Sequence, residues 1–262
     1  MGIDGTQKGS DWLRRTLMTV TREGRQERAS NHTNFVVDQI GLAIVAGEYP
    51  VDTMIPLDPD ICEMFGVSRT VVREAKKTLI AKGMIQSRAK VGTRVHEPEN
   101  WNMFDKDVLL WHAALKNPQQ FYQELFDIRL IFEPAAAAKA AELSNAVDNT
   151  ALSSYCDQME AAASRTVFAV ADYEFHKQVL RSSNNRFLLS LGDMVQTALF
   201  SLFMAEGSEA FLKNQAAVAQ KHRKMADAIS TGNSVDARRL MTEVIDESFA
   251  RTLKRVQHAP AS

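Results

Sequence analysis

Apolar positions in the first third of the chain recur at helical spacing and stop at glycines. Phe35, Val36, Ile40 and Ile44 share one face and Gly47 ends the run, so a helix is expected from about Thr33. A connector with Pro50 and Pro56 follows. Asp58-Pro59 then reads as a helix start, with Asp58 as N-cap and Pro59 in the first helical position. That short helix, Pro59–Phe65, ends at Gly66. A second helix begins at Ser68 or Arg69 and runs to about Lys82, with Val71, Val72, Ala75, Leu79 and Ile80 at helical spacing and Gly83 as its stop. Two strand-like pieces, Met84–Ala89 and Gly92–Glu97, are joined through Lys90-Val91-Gly92. Helix, short helix, glycine turn, helix and hairpin make a winged helix-turn-helix.

Beyond Trp101 the pattern is helical throughout. The expected helices are 105–117, 119–143, 147–164, 166–183, 186–204, 209–231 and 234–257, and no strand-length run of β-branched residues interrupts them. The fold class is therefore mainly α: an N-terminal winged helix-turn-helix with a small β-hairpin wing, then a C-terminal all-α helical bundle. The division is 1–32 a flexible, polar N-terminal tail, 33–98 the DNA-binding domain, 99–118 a linker and first helix of the second domain, and 119–258 the all-α domain itself.

Composition adds boundaries. No apolar run reaches the roughly 18 residues of a membrane span, and no signal-type apolar core opens the chain, so no membrane partner is expected. Cys62 and Cys156 are far apart, which fits a reducing cytoplasm better than a disulfide framework. The net charge of −1 hides a strong asymmetry. Phe35–Glu63 holds six acids and no Lys or Arg, whereas Arg69–Arg94 holds eight bases and one acid, Glu74. Charge alone leaves open whether the second stretch is a solvated helix face or a nucleic-acid surface.

The motif favours double-stranded DNA. A recognition helix starting at Ser68 presents Arg69, Thr70 and Arg73 in its first turns, and Arg suits the O6/N7 edge of guanine. Thr70 suits a thymine methyl or a phosphate. Gly92 at the wing allows close backbone approach, while Lys76, Lys77, Arg88, Lys90 and Arg94 are expected on phosphates. The residues Gly66-Val67-Ser68-Arg69-Thr70, Val72-Arg73-Glu74-Ala75, Leu79, Lys82-Gly83 and Gly92-Thr93 resemble the DNA-binding domain of GntR-type bacterial regulators. The resemblance implies a homodimer on a near-palindromic operator. It departs at Leu57-Asp58-Pro59, where the family usually has Ser-Glu-Arg and the Arg contacts DNA; Pro59 stands in its place.

In the helical half, Asp172 and His176 lie one helical turn apart, a spacing that serves either a metal or a simple hydrogen-bonded pair. Arg129, mid-helix among apolar neighbours, needs a partner: either an ion pair with Glu133, Asp127 or Glu124, or a bound anion. Arg129-x-x-x-Glu133, Asp172-x-x-x-His176, Asn185, and His222 ahead of Ala228-Ile229-x-x-Gly232 resemble the FadR-type branch, whose effector domain (FCD) binds a divalent metal. That resemblance implies Asp172, His176 and His222 as ligands of a metal, often zinc, with Val244 where a fourth histidine stands. It also implies Arg129, with His176, His222 and Asn185, as the binding site of a small carboxylate effector. Trp101–Trp111 is similar to a segment of galactonate-responsive members, which points to a sugar acid; the other reading of the segment is an aromatic helix that packs against the winged domain. The expected function is a non-enzymatic DNA-binding regulator, a repressor of a catabolic operon released by its effector. An activator, or a response to another organic acid, is the alternative. A metal-dependent enzyme on the same three ligands competes, but the sequence offers no evident general base beside them.

Overall fold

A computed structural model describes residues 31–88, 91–115, 118–204 and 208–258. The chain divides near residue 116 into two compact units. In the first, α1 (Asn31–Val45), α2 (Asp58–Phe65) and α3 (Arg69–Ala81) precede the strands β1 (Ile85–Arg88) and β2 (Gly92–Val95). The strands pair antiparallel, from Ile85 opposite Val95 to Arg88 opposite Gly92. The proline-bounded connector is more than a turn: Met54 bridges Arg94, and Ile55 N–H donates to the Thr93 carbonyl at 3.0 Å. One core of Val36, Ile40, Ile44, Ile61, Val72, Leu79, Met84 and Val95 joins these elements. The apolar spacing of α1 and α3 supplies it, because each helix turns one stripe inward.

The segment after the wing belongs to this same unit. Lys106–Ala113 forms α4, and Trp111 lies so flat on α1 that a Cβ at Gly41 would come within 2.4 Å of its ring. The Trp111 indole N–H donates to Asp38 Oδ1 at 3.2 Å. Lys82 Nζ holds Asp105 and Asp107, each at 2.7 Å. Residues 99–118 could open the second domain or pack as an aromatic helix on the winged one; a buried indole and two ion pairs dock the helix on the winged unit.

The second unit contains α5 (Gln119–Glu142), α6 (Ala146–Glu160), α7 (Arg165–Ser182), α8 (Arg186–Met204), α9 (Ser208–Ser230) and α10 (Ser234–His258). The expected helix breaks are caps. Asn145, Ser164, Asn185 and Asn233 each accept a backbone N–H of the helix that follows, an interaction worth ~1 kcal/mol per helix. The Phe126 and Phe249 rings lie 5.0 Å apart, and Gly232 approaches the Ala141 carbonyl, so α5 and α10 run antiparallel. The alanines 136–138, 140 and 141 on α5 are buried and small enough for close helix approach.

Candidate functional sites: a basic recognition face and a buried histidine cluster

In the first unit, Gly66 takes φ +62° between α2 and α3, the left-handed turn the helix-turn-helix needs. Ser68 caps α3, its Oγ accepting from Val71 N–H at 3.4 Å. Arg69, Thr70 and Arg73 are exposed on the first turns of α3. Neither arginine forms an ion pair among the described residues. The other bases differ. Lys77 pairs with Glu74, and Arg94 pairs with Asp52 at 2.7 Å. Lys76, expected on a phosphate, is only 8% exposed and is bonded to Asp58 Oδ1 at 2.6 Å.

This pair also explains the start of α2. Asp58 is the first helical residue, not the cap; Leu57 occupies the cap position, and its N–H donates to Asp60 Oδ2 at 3.2 Å. Asp58 is instead directed at Lys76. Between α3 and the wing lies a groove of about 570 Å³ lined by Asp58, Arg73, Lys76, Lys77, Arg88 and Gly92, among others. Gly92 has φ +119°, a conformation that L side chains rarely adopt, so the backbone itself favours glycine at that point. Lys90, assigned to the wing tip, lies outside the described residues, as do residues 1–30 of the expected tail.

The second unit buries a chain of charged groups. Arg129 Nε and Nη2 donate to the two oxygens of Glu133 at 2.6 and 3.2 Å. Of the two partners open to Arg129, the intrahelical acid is therefore present, one turn along α5. Glu133 also accepts from His176 Nδ1 at 2.8 Å and from Gln196 Nε2 at 3.0 Å. The His176 and His222 Nε2 atoms are 3.4 Å apart, and His222 Nε2 is 3.1 Å from Asp172 Oδ1. Burial would raise the Glu133 carboxyl, but Arg129 and His176 outweigh it and hold the group at about 2. Asp172 is likewise held at about 2, where His222 and His176 outweigh burial.

The proton positions follow from the partners. His222 Nδ1 is 2.8 Å from the Val218 carbonyl, which can only accept, so Nδ1 carries a hydrogen. His176 Nδ1 faces an ionised carboxylate and must also donate. Both Nε2 atoms are then lone pairs facing one another, unless a proton or a cation lies between them. Tetrahedral zinc, with bonds of about 2.0–2.1 Å, separates neighbouring ligand nitrogens by about 3.4 Å. The Asp172, His176 and His222 ligand atoms all lie within 4.8 Å of one another, and each histidine is fixed through its other nitrogen. The donor set fits a divalent metal with at least one position open, since Val244, buried on α10, offers no ligand atom.

Asn185 is exposed and caps α8, separate from this buried cluster. Glu133 and Gln196 are the members that sequence reasoning left out of the site. An acid four residues after Arg129 was visible, but its bond to His176 was not. Nothing in the spacing singled out Gln196.

A winged helix-turn-helix with exposed, unpaired arginines on α3, followed by an all-α unit with a buried polar cluster, is the architecture of a DNA-binding transcription regulator. Residues 32–95 match the model of the bacterial regulatory proteins of the gntR family, and residues 124–247 match the FCD domain. The Escherichia coli transcriptional regulator YieP is 31% identical over 209 residues, covering 78% of this chain and 89% of YieP. The chain belongs to the GntR family of DNA-binding transcriptional regulators, which are not enzymes. The E. coli galactonate operon transcriptional repressor is 30% identical over 229 residues, 86% of this chain and 98% of the repressor. The solved structure of Lar, described as controlling expression of the Listeria monocytogenes agr system, has a TM-score of 0.62 at 16% identity. It covers 88% of this chain and 99% of its own, and it supports the fold. No helix among the described residues is long and apolar enough to cross a membrane.

Proposed function

We propose that the protein is a homodimeric, cytoplasmic repressor that leaves its operator when a small carboxylate, favourably a sugar acid, binds the helical unit. In this reading Ser68, Arg69, Thr70 and Arg73 meet the operator, with Lys90 and Gly92 at the wing and with Arg94 joining them by exchanging Asp52 for a phosphate. Asp172, His176 and His222 hold a divalent metal, zinc by donor type, which supplies a fixed positive charge for an anion. The observation that carries the effector role is the state of Arg129. Glu133 occupies its Nε/Nη2 edge, while Nη1, fully buried, has no partner. The Nη1/Nη2 edge therefore keeps unused donors of the geometry a carboxylate accepts bidentately. The similarity to the galactonate operon repressor supports a sugar acid and a repressor.

The test is binding of the chain to its own promoter by fluorescence anisotropy, with sugar acids added, with and without chelator. Release by a sugar acid is expected in the wild type and absent in Arg129→Met, which should still bind DNA. Release by the acid that persists unchanged in Arg129→Met refutes the assignment. Metal analysis of protein purified without chelator should find up to about one ion per chain, lost in His176→Ala.

A further inference from the structure

A second buried polar atom of the helical unit has no partner: Ser248 Oγ on α10. Ser248 is 5% exposed and sits on the inward stripe of that helix, one turn beyond Val244. The stripe is apolar through Ala237, Met241, Val244 and Ile245, then turns polar at Ser248 and Thr252. A serine inside a helix ordinarily bonds the carbonyl four residues back; Ser248 does not.

The antiparallel register brings this group to the level of Arg129. Phe126 packs on Phe249 at 5.0 Å, and the Arg129 guanidinium lies 5.1 Å from the same Phe126 ring. One aromatic ring thus touches both the neighbour of Ser248 and the guanidinium whose Nη1 is open. Two unsatisfied groups, one a cationic donor and one a hydroxyl, flank one level of the α5–α10 interface. Buried polar groups are nearly always paired, and each exception calls for a reason.

We propose that Ser248 is a specificity-determining contact that reads a hydroxyl of the acid effector. The effector's carboxylate takes the unused donors of Arg129, and a ligand hydroxyl exchanges a hydrogen bond with Ser248 Oγ. An acid of the same length without hydroxyls leaves Ser248 unpaired and is discriminated against. The proposal rests on the effector role of Arg129 and adds to it the residue that distinguishes a hydroxylated acid from an unsubstituted one.

The experiment is calorimetric titration of the full chain with length-matched pairs: galactonate and gluconate against hexanoate, and lactate against propionate. At least one hydroxylated acid should bind more tightly than its partner. Ser248→Ala should weaken that acid by about 2- to 10-fold and leave the unsubstituted acid unchanged. Ser248→Thr, which keeps the hydroxyl, should retain the preference. The ligand-free melting midpoint of Ser248→Ala should be no lower than that of the wild type, because the hydroxyl it removes has no partner. Equal binding of the hydroxylated acid by wild type and Ser248→Ala overturns the proposal, as does a ligand-free variant that melts lower or fails to fold. A wild type that prefers the unsubstituted acids overturns it while the carboxylate role of Arg129 stands. A wild type that binds no member of either pair removes both.

Discussion

Asp58 engages Lys76 on the face proposed to meet DNA, and Asp58→Asn should free that lysine for a phosphate. Lys76 lines the groove between α3 and the wing together with Arg73, Lys77 and Arg88, yet its ammonium is bonded to Asp58 Oδ1 at 2.6 Å and lies 3.4 Å from the Pro56 carbonyl. The amide of asparagine retains a hydrogen-bond acceptor but not the charge. One more phosphate contact should steepen the slope of log Kobs against log salt by about 0.9. Between about 50 and about 200 mM salt, that extra slope corresponds to an additional loss of affinity of about 3.5-fold. At low salt the variant should bind more tightly than the wild type. Breaking a pair whose acid side chain is 39% exposed should cost about 1 kcal/mol of stability or less. Fluorescence anisotropy on a random duplex measures the slope without knowledge of the operator. An unchanged or shallower slope in a folded Asp58→Asn protein would show that Lys76 has no phosphate within reach.

Three further outcomes are expected. Arg73→Ala should keep the fold, because the side chain is exposed and unpaired, and lose about 10- to 100-fold in operator affinity while random-duplex binding falls far less; equal losses on both duplexes would make Arg73 a phosphate contact. Glu133→Gln should lower stability by about 3–5 kcal/mol in chemical denaturation, because Arg129 is left buried without its counter-charge; a loss below about 1 kcal/mol would mean that the guanidinium finds another partner. Acid should destabilise the helical unit through Glu133 and Asp172. Their folded values, about 2, lie below the ordinary 4.5 and 3.8, so their stabilisation is complete above the ordinary values and disappears as pH falls toward 2. Glu133 alone should contribute about 3 kcal/mol to this loss. Unfolding followed by circular dichroism across that range checks it, and a flat profile in wild type, or an equally steep one in Glu133→Gln, contradicts it.

Local rules decided much of this protein. Helix periodicity and the stop residues Gly66, Gly83 and Gly232 set the order of elements. The caps Asn145, Asn185 and Asn233 fell where the pattern broke, since capping is chemistry between near neighbours in the chain. The exposed arginines of α3 were legible for the same reason. Their position depends on one helix start at Ser68. The i,i+4 pairs Arg129–Glu133 and Asp172–His176 could be seen on single helices, but their roles could not.

Tertiary structure decided which charges remain available. Asp58 cancels Lys76 from 18 residues away and Asp52 cancels Arg94 from 42, so a run of bases in sequence is not a run of free charges in space. Trp111 and Lys82 fix α4 to the winged unit through contacts that no periodicity encodes. Glu133 joins Arg129 to His176 across 43 residues, and His222 comes to His176 across 46. Sequence pattern reports which face of a helix is buried. Which buried face meets which, and so which polar atoms at Arg129 and Ser248 are left without a partner, depends on the packing of several helices at once.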